Sequence, residues 1–216
     1  MFRLVRTSTI LCIAASGLFA DTIYTSASSF EAALASSTTV GFNGISVPSG
    51  SFVSFPNTAP LVVAGITFET PTTPGPTVNV NSSNFYSASD YGGNQYVITG
   101  GATTNNEIEI FLPANTFAVG LDYGGYAGGN KAVITDVSDG ASFTNGSLPG
   151  LFNTAFAGFI SSSPIAELSF ATTNDAFVVV NVVTGVTTPE PRTSAALLAA
   201  GLLGFVALRR RRKAAA

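Results

Sequence analysis

Turn-forming residues recur every ten residues or so between Thr39 and Thr187, and this spacing leaves room for short strands only. The loop Pro71-Thr72-Thr73-Pro74-Gly75-Pro76 cannot sit inside a central strand, because three of its residues lack an amide hydrogen. A polar loop covers Ser82 to Asn94, and Asp139-Gly140 has the chemistry of a tight hairpin turn. Strands are expected at Thr39–Phe42, Ser51–Phe55, Leu61–Glu69, Thr77–Asn81, Gln95–Thr99 and Asn106–Leu112. Further strands are expected at Phe117–Tyr123, Lys131–Val137, Ala141–Thr144, Phe156–Ser161, Ile165–Ala171 and Ala176–Val183. Gly65 marks a bulge or bend within its strand.

Alternation assigns faces where it is clean. Ile108, Ile110 and Leu112 share one face, and Glu107, Glu109 and Phe111 the other. Phe117, Val119, Leu121 and Tyr123 likewise fall together. Near the front, Ser28 to Leu34 reads as one short helix, capped by Ser28 with Glu31 completing a capping box. The expected fold is all-β: an antiparallel jelly-roll-like β-sandwich with one short N-terminal helix, plus a C-terminal transmembrane helix.

The two ends read differently from the middle. Met1 to Ala20 places Arg3 and Arg6 before an apolar stretch and closes on small residues, the layout of a secretory signal peptide cut after Ala20. Cys12, the sole cysteine, leaves with it, so no disulfide is expected in 21–187. At the other end stand Pro189, Glu190 and Pro191, then an uncharged span over 193–208, then Arg209, Arg210, Arg211, Arg212 and Lys213. As a helix the span is about 24 Å long, a little under the roughly 30 Å hydrocarbon core. The basic cluster belongs on the cytoplasmic side.

This tail, 188–213, resembles the PEP-CTERM sorting signal, whose three parts it repeats in order. The resemblance implies export through the Sec translocon, removal of the leader by signal peptidase, and a single-pass intermediate in the inner membrane. It implies recognition by an exosortase-like transpeptidase at Pro189-Glu190-Pro191. Delivery to the cell surface or extracellular matrix of a Gram-negative-type bacterium would follow. A second resemblance rests on Phe117-Ala118-Val119-Gly120-Leu121-Asp122, Pro164 to Phe170 and Ala176 to Asn181. These segments look like a lectin-like, jelly-roll sandwich found in such sorted proteins. Related sandwiches carry calcium-binding carboxylates where this chain has Gly41, Asn43 and Val180, so no calcium is expected there.

Composition narrows the chemistry. From Asp21 to Thr187 the only basic residue is Lys131, against eleven acidic ones. Such a surface disfavours nucleic acid and anionic lipid. Histidine is absent, which removes His-based triads and nearly every zinc or copper site, and tryptophan is absent too. No catalytic residue, metal or cofactor is assigned. Asp136-Val137-Ser138-Asp139-Gly140 begins like a calcium loop but lacks its later ligands, and reads as a turn with solvated aspartates. The candidate glycan contacts are Asp122, Tyr123, Tyr126 and Asn130, where rings and amides flank flexible glycines. Tyr86 to Asn94 has the same make-up and is a candidate neighbour. The reading is a non-catalytic, exported surface or matrix protein with weak affinity for extracellular polysaccharide. Two alternatives stay open: a secreted polysaccharide hydrolase using Glu107 and Glu109, and a purely structural coat protein.

Overall fold

The computed structural model describes residues 21–71, 77–99, 106–125, 131–145, 147–172 and 177–187. The leader, the tail with Pro189, Glu190, Pro191 and Arg209 to Lys213, and also Tyr126 and Asn130, lie outside the described residues. Among the described residues no helix is long and apolar enough to cross a membrane.

The first half of the chain runs β1 (Thr22–Tyr24), α1 (Ala27–Ala32), β2 (Leu34–Gly41), β3 (Phe52–Phe55), β4 (Leu61–Val63), β5 (Ile66–Glu69) and β6 (Val78–Asn81). The second runs β7 (Tyr96–Thr99), β8 (Asn106–Phe111), β9 (Ala118–Gly125), β10 (Ala132–Asp136), β11 (Ser142–Asn145), β12 (Ala155–Ile160), β13 (Glu167–Thr172) and β14 (Phe177–Thr187). One sheet has the order β1-β12-β9-β14-β7-β6-β3, with β2 also paired to the far half of β14. The other has the order β11-β10-β13-β8-β5-β4. Every pairing is antiparallel. The expected two-sheet antiparallel sandwich is what forms.

Alternation builds the core. Val119, Leu121 and Phe159 of the first sheet meet Ile108, Ile110 and Phe170 of the second, all fully buried. Each such side chain contributes about 1.5–3 kcal/mol through removal from water. The outer face of the first sheet carries a second cover. There α1 lays Phe30 across two glycines: a Cβ on Gly120 would stand 2.4 Å from the Phe156 ring, and one on Gly158 2.7 Å from the Phe30 ring. Only glycine leaves that close approach open.

Three expectations are corrected. The helix starts earlier, because extended Ser26 is its cap and accepts from the Ser29 amide; Ser28 lies inside the first turn, and Leu34 already belongs to β2. Leu61–Glu69 is a hairpin and not one strand. Ala64 and Gly65 both have positive φ, which reverses the chain in two residues and pairs Val63 with Ile66. The last strand continues to Thr187, since β2 pairs with it as far as Leu34.

Candidate functional site

The loop between β6 and β7 is built around one carboxylate. Asp90 is fully buried, and both its oxygens are occupied. Oδ1 accepts from the Ser87 amide and hydroxyl, at 2.8 and 2.7 Å. Oδ2 accepts from the Tyr86 amide at 2.8 Å and the Tyr96 hydroxyl at 3.2 Å. Four donors offset the cost of burying the charge and hold the loop in one shape. Burial pushes the Tyr96 hydroxyl far above its usual range; donation from Asn81 opposes the shift, and the Asp90 charge adds to it.

That fixed loop presents rings at the sheet edge. Tyr86 is 44% exposed and Phe52, on edge strand β3, is 48% exposed. Phe85 packs edge-on against both, with ring centroids 5.8 Å from Phe52 and 4.5 Å from Tyr86. Amides and hydroxyls border the rings. Asn84 accepts from the Gly50 amide and donates to the Ser49 hydroxyl, and Ser54 donates to Asn79 on the neighbouring strand. The sequence reading passes over Phe52 and Phe85. The available signal was the adjacent pair Phe85-Tyr86 in a polar loop, since large rings there have no core to enter.

The Tyr86–Asn94 loop does meet the glycines that end β9. The Tyr91 hydroxyl donates to the Gly125 carbonyl at 3.0 Å, and its ring lies where a Cβ on Gly124 would stand, 2.7 Å away. The meeting does not expose Tyr123. Its ring is fully buried between the sheets, edge-to-face with Phe170 at 5.3 Å, and Asn145 donates to its hydroxyl at 2.8 Å. A ring in the core has no face for a sugar, so Tyr123 is a packing residue. The reason is register: it shares the inner face with Val119 and Leu121. Asp122 points the other way and accepts from Asn181 at 3.3 Å. Burial raises its pKa above the usual carboxylate value; donation from Asn181 opposes this, and the charge of Glu31 adds to it.

Glu107 and Glu109 lie half-exposed on the outer face of the second sheet. Glu107 accepts from the Ser169 hydroxyl, and Glu109 stands directly across from Glu69. Burial and then the neighbouring Glu167, Glu107 and Glu69 raise the Glu109 pKa. The pair sits on an acidic sheet face, partly open to water. A shallow groove elsewhere, lined by Ser36, Thr38, Asn115 and Thr184 among others, carries no acid or base. In the Asp136–Gly140 segment the expected turn forms, with the Gly140 amide donating to the Asp136 carbonyl. Its first aspartate is not solvated: Asp136 is 1% exposed.

No family model matches the chain, and no curated protein matches it. Solved structures of mutants of CBM29-2, made to probe ligand recognition by family 29 carbohydrate binding modules, are similar to it at low level. One has 14% identity and a TM-score of 0.33, covering 62% of this chain and 91% of that one. Another has 14% identity and a TM-score of 0.35, covering 65% and 99%. Likeness that low carries no argument, so the functional reading rests on this chain's own residues.

Proposed function

We propose that this chain is an exported, non-catalytic surface or matrix protein that touches neutral glycans through the Phe52, Phe85 and Tyr86 rim. The observation that carries the reading is the rim itself: exposed rings beside amides and hydroxyls, on a loop held by buried Asp90. Sugars offer C–H faces for stacking and hydroxyls for hydrogen bonds. A preformed loop lowers the ordering cost of binding. With Lys131 as the one basic residue of 21–187, the surface suits neutral sugars better than anionic ones.

The export half of the proposal rests on sequence: the leader, then Pro189-Glu190-Pro191, the 193–208 span and the terminal basic cluster. An exosortase-like transpeptidase, signal peptidase and the Sec translocon are the partners it calls for. A jelly-roll ectodomain of lectin-like kind fits the same picture. Affinity electrophoresis in gels of neutral polysaccharide tests the binding half. The full chain is expected to be retarded, and Tyr86→Ala or Phe52→Ala to lose about five- to tenfold in affinity, the loss of one stacking contact being of order 1–1.5 kcal/mol. Unretarded migration in every gel would favour the structural coat instead. Mass spectrometry of protein from the host's extracellular fraction tests the sorting half. The expected chain begins at Asp21 and ends near Thr188 to Pro191; retention of Arg209 to Lys213 would contradict it.

A further inference from the structure

The start of β1 and the β10–β11 turn come together at one edge of the sandwich. They bring Asp21 within reach of Asp136 and Asp139, residues more than a hundred positions apart in the chain. One carboxylate oxygen from each lies within 4.8 Å of the others. Two oxygens bound to the same calcium at about 2.3–2.6 Å are at most about 5 Å apart, so the cluster has the span of a coordination shell.

The second observation is an unanswered buried charge. Asp136 is 1% exposed; its Oδ1 accepts from the Ser138 amide at 2.8 Å, but its Oδ2 is buried with no partner. Both oxygens of Asp21 are also buried, and the Ser161 side chain beside them falls short of hydrogen-bond geometry. An ionised carboxylate left this way costs several kcal/mol unless a cation answers it. Among the described residues no basic side chain lies nearby. Lys131 precedes the first residue of β10 and Asp136 is the last, about 17 Å along the strand.

The surroundings are rigid enough to hold an ion. The Val137 amide donates to the Glu167 carbonyl, and the Ser138 hydroxyl accepts from the Ala166 amide, which ties the turn to the start of β13. Asp139 accepts from the Ala141 amide through Oδ1. The pairing of Thr22 with Ile160 continues outward to bring Asp21 opposite Ser161. With three carboxylates, no histidine and no thiol, the donor set is all oxygen, which selects a hard cation.

The geometry points to a divalent cation site, of calcium type, at Asp21, Asp136 and Asp139, clamping the first strand of one sheet to a turn of the other. It departs from the expectation of solvated aspartates, and the difference is Asp21, which the turn's own sequence does not contain. The site would make completion of the sandwich edge depend on the calcium outside the cell.

Thermal unfolding of the precursor and of the processed chain recovered from its host tests it, in chelator, in millimolar calcium and in millimolar magnesium. Calcium is expected to raise Tm saturably by about 5 °C, and magnesium by less. Asp139→Asn, which keeps the acceptor for Ala141 and lies on an exposed turn, should fold and melt normally in chelator yet lose most of the calcium shift. A wild-type Tm blind to calcium overturns the site, as does an equal shift in Asp139→Asn and Asp21→Asn. Cleavage after Ala20 would free an α-ammonium at Asp21. A calcium shift seen in the precursor but absent from the processed chain would give the site to that ammonium and overturn the cation in the mature protein.

Discussion

Asp90 and Asp136 are both buried carboxylates in loops of this sandwich, and they are treated in opposite ways. Asp90 receives four hydrogen bonds, two on each oxygen, from its own loop and from Tyr96. Asp136 receives one, on Oδ1, leaves Oδ2 without a partner, and belongs to a cluster with two more acids. The first arrangement is complete within the protein and rigidifies a loop that displays rings. The second is incomplete without a positive charge. A buried charge is therefore uninformative until its donors are counted.

The comparison breaks most visibly by substitution at Asp90. Asp90→Asn turns an amide N–H₂ toward donors that had an acceptor, and should destabilise by about 3 kcal/mol in denaturant titration, equally with calcium or chelator. A loss under about 1 kcal/mol would mean the loop does not depend on that charge. Asp136→Asn should behave with opposite sign in chelator, raising stability by about 1–2 kcal/mol because an unanswered charge is removed. In calcium the same variant should lose that advantage, and a variant destabilised alike in both solutions would erase the contrast. A smaller effect is expected for Tyr123→Phe: about 1 kcal/mol for the bond from Asn145, with retardation in polysaccharide gels unchanged. A change in glycan affinity there would put Tyr123 back in the binding surface.

Asp122 is the intermediate case, half-buried with one donor, and its effect should be the smallest. Its folded pKa is raised, so the folded chain holds that proton more tightly than the unfolded one. The stabilisation is fully present below the unfolded pKa and is lost as pH rises through the folded value. Melting scans across the acid range should show Asp122→Asn removing part of that fall; an unchanged slope would assign it to other groups.

Much of this was legible in the chain, for stated reasons. Ile108 and Ile110 alternate with Glu107 and Glu109, and they enter the core as that period requires. Asp139-Gly140 makes the expected hairpin, with Gly140 at φ +80. Tyr123 shows where alternation should have outweighed loop composition: it shares a face with Leu121, and the glycines after it belong to the strand. Ala64-Gly65 was hidden because alanine seldom takes positive φ, so the reversal needed pairing that only the sheet supplies. Nothing among the serines and glycines around Asp90 marks it as buried, because its donors come from a folded loop. Asp21 and Asp136 were beyond reach, since no local pattern links β1 to the β10–β11 turn.

The most direct test counts ions. Native mass spectrometry of the intact, host-derived chain, exchanged into calcium at pH 7, should show one calcium bound per molecule. It should show none in Asp136→Asn, and one still bound when the ring of Tyr86 is removed. A wild-type chain carrying no ion, or Asp136→Asn carrying the same ion, would contradict the claim that this buried carboxylate is answered by a cation.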